Sequence, residues 1–214
     1  ERYGKVLNEQ KYPWAANFHP VLAPVKNDGD AWMCSMLSGK AVRYNIHTRI
    51  FSVYTSATIP ALPFEKVKHI VYDSYGDVWI AGHALTRWNT RKKNFDTLIN
   101  AYGGANKFND DIITIRADNN GSLWMHNALN GLLEYRIKEK KFVAYTREDG
   151  LPSNQLAALS PVIDNKIWVA GNNQLSLFDI SSKKFTVYDY RDGLPEQRST
   201  ARKIFYDAQG GHLY

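Results

Sequence analysis

Gly121-Ser122-Leu123-Trp124-Met125 is a glycine turn feeding a short apolar run around one tryptophan. The pattern recurs as Gly29-Asp30-Ala31-Trp32-Met33 and as Gly76-Asp77-Val78-Trp79-Ile80. Asn165-Lys166-Ile167-Trp168-Val169 is a weaker copy, and Gly211-His212-Leu213-Tyr214 begins another. Anchor to anchor, the spacings are 47, 45, 44 and 46 residues. A repeat period in the forties belongs with stacked blades or with helical pairs.

The remainder of the period decides for blades. Each anchor is followed by a second aromatic and a polar residue: Tyr44-Asn45, Trp88-Asn89, Tyr135-Arg136 and Phe178-Asp179. Seven residues beyond that aromatic stands Phe51, Phe95, Phe142 or Phe185, and three further on Tyr54, Leu98, Tyr145 or Tyr188. The apolar pieces are short, rich in Val, Ile, Phe and Tyr, and fenced by Gly, Asn, Asp or basic turns. Those are strand lengths and strand residues, with no 3.6-residue stripe long enough for a helix. Four short strands per repeat of about 45 residues make a β-propeller blade, so the fold class is all-β.

Composition is permissive. The chain has 214 residues, 13% of them aromatic, which suits sheets stacked face to face. Cys34 is the single cysteine, so no internal disulfide forms and no Cys/His zinc cluster exists. No apolar run reaches the length of a membrane span, and no signal peptide is present. Of the 27 basic residues behind the +6 charge, Arg91, Lys92, Lys93, Lys138, Lys140, Lys141, Lys183 and Lys184 sit between second aromatic and phenylalanine. That is the tight turn joining third and fourth strands, where charge is solvated, and no nucleic-acid-binding motif accompanies it. A nucleic-acid partner is not expected.

Full blades are expected over residues 18–55, 64–99, 110–146 and 155–190. Residues 1–7 read as the outer strand of a preceding blade, and 199–214 as the start of a further one. Pro20 and Pro24 make the first inner strand irregular, since proline cannot donate to a ladder. Inner strands are expected at 67–72, 112–117 and 156–163, and Asn119-Asn120-Gly121 suits a tight hairpin. With both ends inside blades and no initiating methionine, the sequence reads as a piece of a longer, incomplete propeller.

Two loops make the repeat specific. Arg147-Glu148-Asp149-Gly150-Leu151-Pro152-Ser153-Asn154-Gln155 precedes one inner strand and Arg191-Asp192-Gly193-Leu194-Pro195-Glu196-Gln197 the next, with Ala61-Leu62-Pro63 as a degenerate form. Together with Gly-x-Leu-Trp-Met and Lys-Lys-Phe-x-x-Tyr, they resemble the two-component-regulator propeller repeat. That repeat builds the periplasmic sensor region of bacterial hybrid two-component histidine kinases. The resemblance implies an extracytoplasmic sensor of an inner-membrane protein, homodimeric when whole, that detects oligosaccharide fragments and signals to a kinase region absent here.

In an up-and-down blade, second-to-third loops and blade-to-blade loops share one face, and rigid elements holding such loops make the natural ligand face. Candidate ligand-binding residues there are His126, Asn127, Arg147, Asp149, Asn172, Asn173, Gln174, Arg191 and Asp192. Their amides, guanidinium groups and carboxylates suit sugar hydroxyls and acidic substituents. The four anchor tryptophans read as core, and Gly-Leu-Pro as a loop staple with Leu tucked inward. No nucleophile with a base, carboxylate pair or metal triad stands out, so no catalytic residue, metal or cofactor is expected. A propeller lyase, a glycan-active hydrolase and a protein-interaction scaffold are the alternatives.

Overall fold

The computed structural model describes residues 15, 20–23, 29–35, 39–97, 112–127, 129–171, 174–194, 204, 206–207 and 212–213. The expected outer strand at 1–7 and most of the segment 199–214 lie outside them. Four antiparallel sheets of four strands follow one another along the chain. The first holds β1 (Pro20–Leu22), β2 (Asp30–Ser35), β3 (Lys40–Asn45) and β4 (Ile50–Tyr54). The second holds β5 (Val67–Tyr72), β6 (Val78–Gly82), β7 (Leu85–Asn89) and β8 (Asn94–Thr97). The third holds β9 (Thr114–Ala117), β10 (Ser122–His126), β11 (Leu132–Arg136) and β12 (Lys141–Tyr145). The fourth holds β13 (Leu156–Leu159), β14 (Lys166–Gly171), β15 (Gln174–Asp179) and β16 (Lys184–Tyr188). A hairpin of β17 (Tyr206–Asp207) and β18 (His212–Leu213) follows. Among the described residues there is no α-helix.

First strands pack beside first strands: β5 lies against β1 and β2, β9 against β5, and β13 against β9 and β10. The first strands therefore line a common axis and the fourth strands lie outside, the arrangement of propeller blades. In blades 1 to 3 the anchor tryptophan is buried in the seam with the next blade. Trp32 packs with Tyr54, Tyr72 and Trp88, Trp79 with Leu123 and Tyr135, and Trp124 with Tyr145, Leu156 and Phe178. The spacing of seven residues from aromatic to phenylalanine is a cross-strand pair. Tyr44–Phe51, Trp88–Phe95, Tyr135–Phe142 and Phe178–Phe185 face each other in register, with ring centroids 4.5–4.9 Å apart.

Turn chemistry explains why the repeat folds locally. In three of the β3–β4-type turns the last strand residue accepts backbone N–H bonds through its side chain: Asn45 from Thr48 at 2.8 Å, Asn89 from Lys92 at 2.9 Å, Asp179 from Ser182 at 2.8 Å. The turn then closes through a residue at positive φ, namely Arg49, Lys93, Lys140 and Lys183 in the four blades. The basic clusters thus occupy tight solvent-exposed turns, as expected. The first hairpins of blades 2 and 3 are organised by an aspartate the sequence reading passed over. Asp118 accepts from the N–H groups of Asn120 and Ser122 and from Trp124 Nε1, and Asp73 does the same for Tyr75, Asp77 and Trp79 Nε1. The expected inner strand over 156–163 stops at Leu159. Ser160 turns its hydroxyl to Trp168 N–H, Pro161 lacks a donor, and Asp164-Asn165 close a two-residue turn at positive φ.

Candidate functional site

The second-to-third loops and the blade-to-blade loops do share a face. Gly131 N–H donates to Asn154 O at 3.0 Å, and His83 N–H to Lys66 O at 2.9 Å. Gly131 has a φ of 73°, and a Cβ there would lie 2.4 Å from Tyr145 O, so this contact between loops requires glycine.

Two of these loops are built alike. After β12, Thr146 caps a 3-10 turn over Arg147–Asp149, and the Asp149 carboxylate returns to Thr146 N–H at 2.8 Å. After β16, Asp189 caps Tyr190–Asp192, and Asp192 returns to Asp189 N–H at 2.9 Å. Each turn ends on a glycine at positive φ, Gly150 and Gly193. Leu151 is buried in the seam between blades 3 and 4, as the staple reading expects. Asp149 and Asp192 therefore serve as reciprocal caps. They hold Arg147 at the first and Arg191 at the second position of successive turns, both exposed, where the other turn carries Tyr190 and Glu148. Arg191 is 75% exposed at its side chain and pairs with Asp189 at 2.6 Å. No ion pair holds the Arg147 side chain among the described residues.

Gln174 lines a shallow crevice with Leu151, Pro152, Ser153, Val169 and Gly171, which places it beside the Arg147 loop. Asn172 and Asn173 lie outside the described residues. Asn127 is fully buried, and its carbonyl oxygen accepts from Leu129 and Asn130 N–H while its amide donates to Asn130 at 2.6 Å. His126 is also fully buried, and neither ring nitrogen has a hydrogen-bond partner. Burial, opposed by the Asn127 backbone and supported by the charge of Arg116, pushes the imidazole down to about 4. The structure thus sets Gln174 beside Leu151–Ser153 of the loop that carries Arg147, places Arg191 on the next turn, and gives Asn127 a loop-holding contact.

Two polar clusters escaped the sequence reading. On the inner strand of blade 3, Arg116 Nη1 meets His69 Nε2 of blade 2 at 2.9 Å, and Nη2 donates to Leu159 O of blade 4 at 3.1 Å. On the opposite face, a cleft of about 320 Å³ opens between blades 2, 3 and 4, bordered by Tyr75, Asn120, Arg136, Lys138 and Lys183. Its buried wall is Glu134, bound to Ser122 Oγ at 3.0 Å and Tyr145 OH at 2.9 Å, with Lys183 Nζ at 3.7 Å. Burial alone would raise the Glu134 pKa, but hydrogen bonds from Arg136 and Tyr145 and the Lys183 charge hold it below the ordinary value. The signal for Arg116 is a lone cation at the inner-strand position where blades 2 and 4 carry Val71 and Ser160.

No family model and no curated relative matches the sequence. Solved structures do. The extracellular domain assigned to the hybrid two-component system BT4673 of B. thetaiotaomicron superposes with a TM-score of 0.67 at 12% identity, over 90% of this chain and 25% of that one. The corresponding domain of BT3049 from the same organism gives 0.61 at 16%, over 91% and 32%. Virginiamycin B lyase of Staphylococcus aureus gives 0.61 at 16%, over 90% and 60%. The chain thus spans about a quarter to a third of the sensor domains and some three fifths of the lyase. At these identities the likeness is one of fold, and the fold is the β-propeller on which both extracellular two-component sensor domains and the lyase are built.

Proposed function

We propose that this chain is a ligand-sensing propeller segment of an extracytoplasmic receptor of the hybrid two-component class. It binds an oligosaccharide fragment on the loop-bearing face without cleaving it and passes the signal to a kinase region outside this sequence. The observation that carries the reading is the pair of capped 3-10 turns, which present Arg147 and Arg191 from successive blades on a rigid base. Exposed guanidinium groups on preorganised loops bind carboxylate or sulfate substituents with little ordering cost. The fold shared with extracellular sensor domains supports the same reading, as does the agreement of the repeat motifs. The receptor is periplasmic, and its whole form is a homodimer. Among the described residues no helix is long and apolar enough to cross a membrane.

Calorimetry on the full-length receptor with a panel of neutral and acidic oligosaccharides tests this. Arg147→Ala, Asn173→Ala and Arg191→Ala are each expected to weaken binding, Arg147→Ala more than Arg191→Ala because Asp189 already neutralises Arg191. Substitutions across Arg91–Lys93, on the opposite face, should leave affinity unchanged, and acidic glycans should lose affinity with added salt. Release of shortened or unsaturated products from a bound glycan would replace sensing with the lyase reading.

A further inference from the structure

The inner rim of blades 2 to 4 carries a positive charge that no carboxylate balances among the described residues. Arg116 is half-buried, and of its five N–H donors three hydrogen bonds engage Nη1 twice and Nη2 once. All three go to His69, Ile115 O and Leu159 O, none of them a carboxylate. Nε has no acceptor among the described residues, and Nη2 has a single one, Leu159 O. Beside it lies His126, wholly buried, with both ring nitrogens unpartnered. A guanidinium in low dielectric without a counter-charge is costly, and the blade does not need one, because the equivalent positions hold Val71 and Ser160. Two other half-buried arginines among the described residues are treated differently: Arg43 has Asp30 at 2.5 Å, and Arg87 has Asp96 at 2.5 Å.

We propose that Arg116, flanked by His69 and His126, is an oxyanion-binding site on the propeller axis that takes a carboxylate or sulfate group of a small ligand. The planar fork offers its unused Nε and Nη2 donors to two oxygens, and His126 supplies a further donor from its neutral tautomer. The ligand's charge replaces the missing counter-ion. The site needs no part of the glycan reading, since it is a place for an anion whatever carries it. It joins that reading only if the acidic substituent of a bound glycan reaches the axis. The depressed imidazole pKa at His126 agrees with an unneutralised Arg116 nearby.

The test titrates the full-length receptor with glucuronate, with sulfate and with glucose at constant ionic strength in chloride, followed by NMR of the labelled histidine imidazoles and by thermal shift. Glucuronate, sulfate or both should raise the melting temperature and move the His69 and His126 resonances, while glucose does neither. Glucuronate alone marks a carboxylate site and sulfate alone a tetrahedral-anion site. In Arg116→Gln the apparent affinity for the anion should fall at least tenfold. If that variant does not fold, the wild-type His126 pKa is the readout, and it should rise when the anion is bound. Absence of any response to either anion, an equal response to glucose, or a response that Arg116→Gln leaves intact would overturn the site. Failure of neutral glycans to bind the loop face leaves it standing.

Discussion

At the scale of single residues, the anchor tryptophan and the buried histidine make opposite demands. Trp124 is fully buried, donates Nε1 to Asp118 at 3.0 Å and stacks on Tyr145 with centroids 5.9 Å apart. Trp124→Ala should cost about 3–5 kcal/mol through the cavity it opens in the seam, whereas Lys140→Ala, in an exposed turn, should change little in a denaturant melt. His126 works against the fold in acid. Its imidazole is held near 4 in the folded chain against an ordinary 6.5, so the unfolded chain takes up the proton first as pH falls. Stability from this group is fully present above pH 6.5 and is lost between 6.5 and 4, by about 3 kcal/mol in all. Urea melts across that range should show the loss in the wild type and a flatter profile in His126→Gln. The tryptophan register was legible because it repeats. Arg116 was not, because it interrupts a run of isoleucines whose inward face looks uniformly apolar until three blades are assembled around it.

At the scale of the element, the unit that folds is the hairpin with its internal acceptor. Asp118 satisfies two backbone N–H groups and the indole of Trp124, so Asp118→Ala strands three donors at once, of which Ser122 N–H and the indole are buried. A loss of about 3 kcal/mol is expected from equilibrium unfolding, with Asp118→Asn costing less because its carbonyl oxygen still accepts. The Asp-x-x-Gly-x-x-Trp spacing is visible in blades 2 and 3, yet it was not read as a motif. Blade 4 reaches the same tryptophan from Ser160 through a shorter turn, and that hides the periodicity. The Gly-Leu-Pro loops were legible in part. Their leucine was expected inside, but Asp149 and Asp192 look in sequence like ligand groups and in space close their own turns.

At the scale of the molecule, each blade completes its core only against the next. Trp168, the fourth anchor, is half-buried and packs with Ala158, Ala170 and Ile204. Deleting residues 195–214 should uncover it, red-shift the tryptophan emission and promote association through the exposed face. Unchanged emission from a monodisperse monomer would show that blade 4 ends the core without that cover. Four blades and their order could be read from the period. The cleft on the turn-bearing face could not, since its borders come from three blades whose mutual placement no single repeat encodes.

The ionic pairing differs from blade to blade, and this bears on how such a chain can be rearranged. Blades 1 and 2 pair β3-type arginines with their own aspartates, Arg43 with Asp30 and Arg87 with Asp77 and Asp96. Blade 3 differs: Ser122 stands at the aspartate position and Glu134 at the arginine position, balanced by Arg136 of the same blade at 3.3 Å and by Lys183 of blade 4 at 3.7 Å. A duplication that copied blade 1 or 2 would carry its balance with it. A duplication, or a circular permutation, that parted blade 3 from blade 4 would leave the buried Glu134 with Arg136 of its own blade and without Lys183, the second of its two cations. Blades 3 and 4 are therefore a unit of inheritance, and new termini are better tolerated between blades 1 and 2 than between the last two.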